Sequence, residues 1–255
     1  MGPSEAGCRH SRQVALHRSP CTSGQTLMLI HADSLSSTVD AVNEAFFFGQ
    51  GIPAPERRAV AKWIAARQGL RGAYGQLFAG FESERTAGIK VFTGERMTSA
   101  SARHILGEES CRALLLLDVK DSPVRAAVGR ASEWMTARVE QAAGDSPRNS
   151  LGAFCCGKCT VSLWRHLLAG GFDRREQRLA LGLAKLRSSR DSAGAWRAFP
   201  FWYTVLALTE MDHPGARSEL RHAAEHLEVE AKRTPAKTPF ARRRNALARR
   251  ALDQI

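Results

Sequence analysis

Cys155, Cys156 and Cys159 stand within five residues of one another, and the run KCTVSLWRH continues from there to His166. Cysteine thiolate is both a soft metal ligand and a nucleophile, so this spacing admits three readings. In the first, Cys155 and Cys159 lie four apart on a helix and ligate one ion. His104 and Glu108 repeat that spacing on a second helix and complete four ligands, and zinc is the ion that thiolate and imidazole together favour. His166 is too far to join Cys155 in such a site, about 16 Å further along a helix axis. In the second reading, Cys156-Gly-Lys-Cys159 is a redox dithiol whose first thiol is acidified by a helix N-terminus and by Lys158. In the third, the cysteines are small apolar residues packed between helices.

Further candidates surround an insertion at 75–98, a long segment of the kind that forms lids or binding loops. Glu95, His104, Glu108 and Glu109 gather there, and a carboxylate–histidine pair such as His104 with Glu108 can act as a general base. His104, Glu108, Cys155 and Cys159 are therefore the catalytic candidates, and Cys155, Cys159 and His104 the metal ligands. Asp118 and Asp121 have the spacing of a magnesium–diphosphate motif, but they fall at a helix end before Pro123 and read as an exposed cap.

The elements that must position these groups are helices. Ser37 with Asp40 caps STVDAVNEAFFF, and Pro55 opens PERRAVAKWIAARQ. Thr98 or Ser99 opens a long element to about Asp118, and Ser122-Pro123 another to about Ala143. After the cysteines come DRREQRLALGLAKLRSS, FPFWYTVLALTEM and HPGARSELRHAAEHLEVEAK. No window alternates like a strand, and Leu, Ala and Arg dominate, so the fold class is all-α. Helical spacing puts Cys155, Cys159, Ser162 and His166 on one stripe with Val161, Trp164 and Leu168 opposite; His104, Glu108 and Cys111 form a similar stripe.

The chain has 255 residues, 44% of them hydrophobic, enough for one substantial core. Its formal charge of +12 is concentrated in residues 231–255, where eight Lys/Arg face only Asp253. Residues 1–33 read as a disordered tail, 34–232 as the folded domain and 233–255 as a basic helical segment. Leu247 and Ala251 give that segment an apolar edge, so it packs on the domain or touches anionic lipid at a membrane surface. Nucleic acid is disfavoured because Phe240 alone offers a stacking ring there. No run reaches the ~18 apolar residues of a membrane span, and the six scattered cysteines make no secreted disulfide framework. The expectation is a cytoplasmic protein with reduced thiols.

One feature recurs. GAY at 72–74, GAF at 152–154 and GAW at 194–196 each close the loop after a helix, and Gln68 and Arg190 stand four residues before the first and third glycines. A glycine before an aromatic suits a sharp helix-to-helix turn plugged by a ring, and the polar residue can tie the helix end to the next repeat. RAVAKWIAARQGLRGAY resembles the QW repeat of the terpene cyclases, with Tyr74 in place of tryptophan. GAWRAFPFWYTVLALTEM is similar to the last loop and inner helix of squalene–hopene cyclases and protein prenyltransferase β subunits.

The resemblance covers about residues 55–230. It implies a partial α/α toroid of helical hairpins with alternating outer and inner helices, the inner ones at 99–118, 155–169 and 200–211. By the same resemblance, Tyr74, Phe154, Trp196, Phe201, Trp202 and Tyr203 would wall an apolar cavity that binds an isoprenoid. The DxDD cluster of the cyclases is missing, and FWYT places Tyr203 where prenyltransferases carry a zinc histidine, so the reaction is unassigned. The alternatives are a noncatalytic helical scaffold for a lipid or a protein partner that completes the ring, and a CxxC redox or zinc-binding protein.

Overall fold

The computed structural model describes residues 28–145, 150–234 and 237–255. Most of the expected N-terminal tail, with Cys8 and Cys21, lies outside the described residues. The chain runs as α1 (Leu35–Phe47), α2 (Ala54–Ala65), α3 (Glu82–Ala87), β1 (Ile89–Lys90), β2 (Arg96–Met97), α4 (Ser99–Leu117), α5 (Ser122–Asp145), α6 (Gly157–Leu168), α7 (Arg175–Arg187), α8 (Phe201–Thr209), α9 (Pro214–His222), α10 (Ala224–Lys232) and α11 (Pro239–Leu252). The fold is helical as expected, and none of these helices is long and apolar enough to cross a membrane.

Several boundaries differ from the sequence reading for local reasons. Ser34, not Ser37, caps α1: its hydroxyl accepts the Ser37 N–H, while Glu84 accepts from the Ser36 N–H and the Ser34 hydroxyl. The insertion at 75–98 carries α3 and a two-residue antiparallel hairpin, Ile89 opposite Met97, which the strand rules could not register in so short a stretch. The element expected over 213–232 is two helices that meet at Ala223. The cysteine helix starts at Gly157, so Cys155 and Cys156 precede it and Cys155 is not on the predicted stripe.

Helix α4 is central: it packs against α1, α2, α3, α5 and α6. In turn α6 meets α7 and α8, while α8 meets α9 and α11. Helix α11 closes against α1 through Arg243, whose guanidinium binds Asp40 at 2.8 Å and Glu44 at 2.6 Å. Leu247, Ala248 and Ala251 bury the apolar edge that the sequence predicted.

The core is not purely apolar. Asn43, Glu109, Arg112, Arg165, Tyr203 and Glu210, from α1, α4, α6 and α8 and the α8 C-cap, form one hydrogen-bonded network. Arg165 spans Glu109 and Glu210; Arg112 binds Glu210 at 2.8 Å and Asn43 at 2.5 Å; Tyr203 donates its hydroxyl proton to Glu109 at 2.5 Å. Burial disfavours the Arg165 cation, but Glu109 and Glu210 outweigh it and push its pKa further up. A buried charge survives only when paired this closely.

The polar residues before the recurring loops do make ties. Gln68 Oε1 accepts from Arg130 of α5 at 2.7 Å, and Arg190 binds Glu219 of α9 at 2.9 Å, where Trp196 Nε1 also donates. Each links the end of one helix to a later one.

Candidate metal centre

The loop before α6 is fixed at many points. Trp164 donates its indole N–H to the Gly152 carbonyl at 2.8 Å, and Thr160 Oγ1 accepts from the Phe154 N–H at 3.0 Å. Gly152 lies so close to α7 that an added Cβ would sit 2.1 Å from the Arg178 carbonyl. The Cys156 N–H reaches back to the Phe154 carbonyl at 2.6 Å, which makes Cys155 the middle of a tight turn with φ of 58°. A left-handed residue that is not glycine costs on the order of 1 kcal/mol or more, and such strain collects at functional sites.

That turn gathers the thiols. The Sγ atoms of Cys155, Cys156 and Cys159 all lie within 4.8 Å of one another. All three are thiols, Cys159 buried and the other two exposed. Cys156 holds the N-cap position of α6. The Cys159 thiol, and then the backbone N–H groups of Cys159 and Lys158, overcome burial and lower the Cys156 pKa to about 5. Its hydrogen bond to the Cys156 thiolate, and burial, push Cys159 up; burial and the Cys156 charge push Cys155 up.

Cys155 and Cys156 open onto a cleft of about 250 Å³ lined also by Thr160, Lys185, Arg197 and Ala198. Ala198 is itself left-handed, with φ of 66°, and its carbonyl would lie 2.1 Å from a Cβ at residue 157, so only glycine lets the two backbones meet.

The expected ligand set changes. Cys155 and Cys159 come together as predicted, but Cys156 joins them and His104 does not. His104 Nε2 instead faces Glu108 Oε1 at 3.2 Å, and the second Glu108 oxygen takes a short hydrogen bond from His166 Nδ1. The reason is register: the turn lifts Cys155 off the helix, while i,i+4 spacing keeps His104 on its own helical neighbour.

Glu108 and His166 are fully buried. Burial alone would raise Glu108, but the His166 charge and the two imidazole hydrogen bonds hold it down to about 2. Burial would lower His166, but Cys111 and Glu108 raise it to about 10. Ser132 of α5 sits 3.5 Å from His166 Nε2 and 3.6 Å from Cys111 Sγ. The spacing of His104 and Glu108 marked them in the sequence, but no signal tied them to His166, 58 residues beyond Glu108.

The six aromatic residues expected to wall one cavity divide. Tyr74 and Phe154 pack on His104, with ring centroids 5.0 and 4.9 Å from it. Trp196 stacks on Phe201 at 5.8 Å, Phe201 meets Trp202 edge-on at 5.0 Å, and Tyr203 turns into the charged network. Of the six, Phe154 alone borders the thiol cleft.

Three thiolates suit a tetrahedral zinc ion: Zn–S bonds of about 2.3 Å imply sulfurs about 3.8 Å apart, a spacing consistent with the separation here. Three protein ligands would leave one position of a tetrahedral ion for a further ligand. Comparison with known family models, curated proteins and solved structures finds no match.

Proposed function

We propose that this chain is a zinc-binding helical protein in which Cys155, Cys156 and Cys159 hold one Zn²⁺, with the fourth position open to the cleft beside Lys185 and Arg197. The observation that carries this reading is the mutual approach of three sulfurs within 4.8 Å. A dithiol needs two of them; the third, Cys155, is held in place at the cost of a left-handed backbone. Three protein ligands with an open position is the arrangement of catalytic rather than structural zinc.

Elemental analysis of protein purified with zinc and without chelator tests this. One zinc per chain is expected, lost in Cys155→Ser, Cys156→Ser and Cys159→Ser alike. Metal-free protein would overturn it.

A second reading has its own support. Cys156, acidified to about 5 beside a buried Cys159, is the arrangement of a redox dithiol. Metal-free protein that forms a reversible Cys156–Cys159 disulfide would favour it.

For the scaffold, we propose an α/α toroid of the terpene cyclase and prenyltransferase kind. Its support is the order of contacts: α1, α4, α6, α8 and α11 follow one another, with Arg243 joining the last to the first, while α2 lies against α5 and α7 against α9. An isoprenoid ligand draws less support, since the expected aromatic walls lie in separate groups and charged residues hold the centre.

A further inference from the structure

A second cavity, of about 220 Å³, opens where the C-terminal end of α1 meets α8 and α11, and it shares no lining residue with the thiol cleft. Its apolar lining is Phe46, Phe47, Phe92, Leu116 and Leu206; its polar lining is Asn43, the paired Arg112, Arg165 and Glu210, and the guanidinium of Arg250. Arg250 lies over the Phe47 ring at 3.9 Å and donates one hydrogen bond to the Phe47 carbonyl at 2.6 Å. Among the described residues it forms no ion pair with a carboxylate. Glu210 also borders the cavity and its charge favours the Arg250 cation, but both its oxygens are hydrogen-bonded by Arg112 and Arg165. The cavity therefore presents a cation with unused donors beside a phenylalanine wall, and Phe46 and Phe48 stand exposed near it.

We propose that this cavity binds a monoanionic amphiphile, a carboxylate on an alkyl chain, with the headgroup on Arg250 and the chain along Phe46, Phe47, Phe92 and Leu206. A guanidinium matches a carboxylate with paired hydrogen bonds, and the apolar wall removes the chain from water. The volume is that of about seven liquid waters, which suits a short chain.

Titration calorimetry of the full chain with octanoate and with octanol tests the proposal. Octanoate binds more tightly than octanol; Arg250→Met weakens octanoate about 10-fold and leaves octanol unchanged; Leu116→Trp, which adds bulk at a lining residue of the cavity, weakens both. Thermal melting confirms that each variant is folded. The proposal is overturned if octanoate gives no heat, or if Arg250→Met binds both ligands as the unsubstituted chain does. It is equally overturned if the chain floats with phosphatidylserine vesicles through Arg250 yet ignores octanoate, because the region would then be a membrane contact and not a ligand site.

Discussion

At the scale of the residue, the charged side chains inside this protein are buried against one another. Arg165 is almost wholly buried between Glu109 and Glu210. Arg165→Met would leave Glu109 without its ion-pair partner and Glu210 with Arg112 alone, and a loss of about 3–5 kcal/mol in urea unfolding is expected. His166 and Glu108 set a pH window. His166 rises from 6.5 to about 10 on folding, so its contribution is complete below pH 6.5 and is lost as pH climbs toward 10. Glu108 falls from 4.5 to about 2, so its contribution is complete above pH 4.5 and is lost as pH drops toward 2. The contribution of this pair to the melting temperature should therefore be flat between about 4.5 and 6.5 and decline on both sides, superimposed on a gain from Cys156, lowered from 9.0 to about 5, as pH rises between those values. His166→Gln should remove the alkaline decline attributable to this pair.

At the scale of the element, the start of α6 decides the site. Gly157 is the residue where the helix meets the 198 carbonyl, and the obstacle is backbone, which cannot swing aside. Gly157→Ala should push α6 away from that loop, cost about 2 kcal/mol as an overpacked contact, and weaken zinc retention in a chelator competition. Preserved retention with unchanged melting would show that the loop yields easily. The ties between helices give a contrasting case. Arg190→Ala leaves Glu219 buried with only Trp196 to satisfy it, and about 2 kcal/mol of destabilisation is expected. Metal content should stay at one per chain, because Arg190 borders neither the thiols nor their cleft.

At the scale of the whole molecule, the C-terminal helix belongs to the fold. Its excess of arginine looks like a solvated tail, yet Arg243 is buried and grips Asp40 and Glu44 of the first helix. Arg243→Ala should lower stability by about 2 kcal/mol, measured by denaturant titration, and should loosen both ends of the chain at once. Hydrogen exchange in α1 and α11 would then rise together; exchange confined to α11 would mean that the contact is local.

The sequence by itself determined the helical class and most of the longer helices, and with them the pairing of His104 with Glu108, because period and i,i+4 spacing act over a few residues; the short α3 and the break at Ala223 escaped it. It also marked the Gly-Ala-aromatic loops and the polar residues that tie them, since a sharp turn demands glycine locally. Only the tertiary structure decided that Cys156 rather than His104 accompanies Cys155 and Cys159, because one left-handed residue moved Cys155 out of helical register. It likewise decided that Arg165 meets Glu109 in the interior: which charges meet across 56 residues depends on how helices pack, and no spacing along the chain encodes that distance.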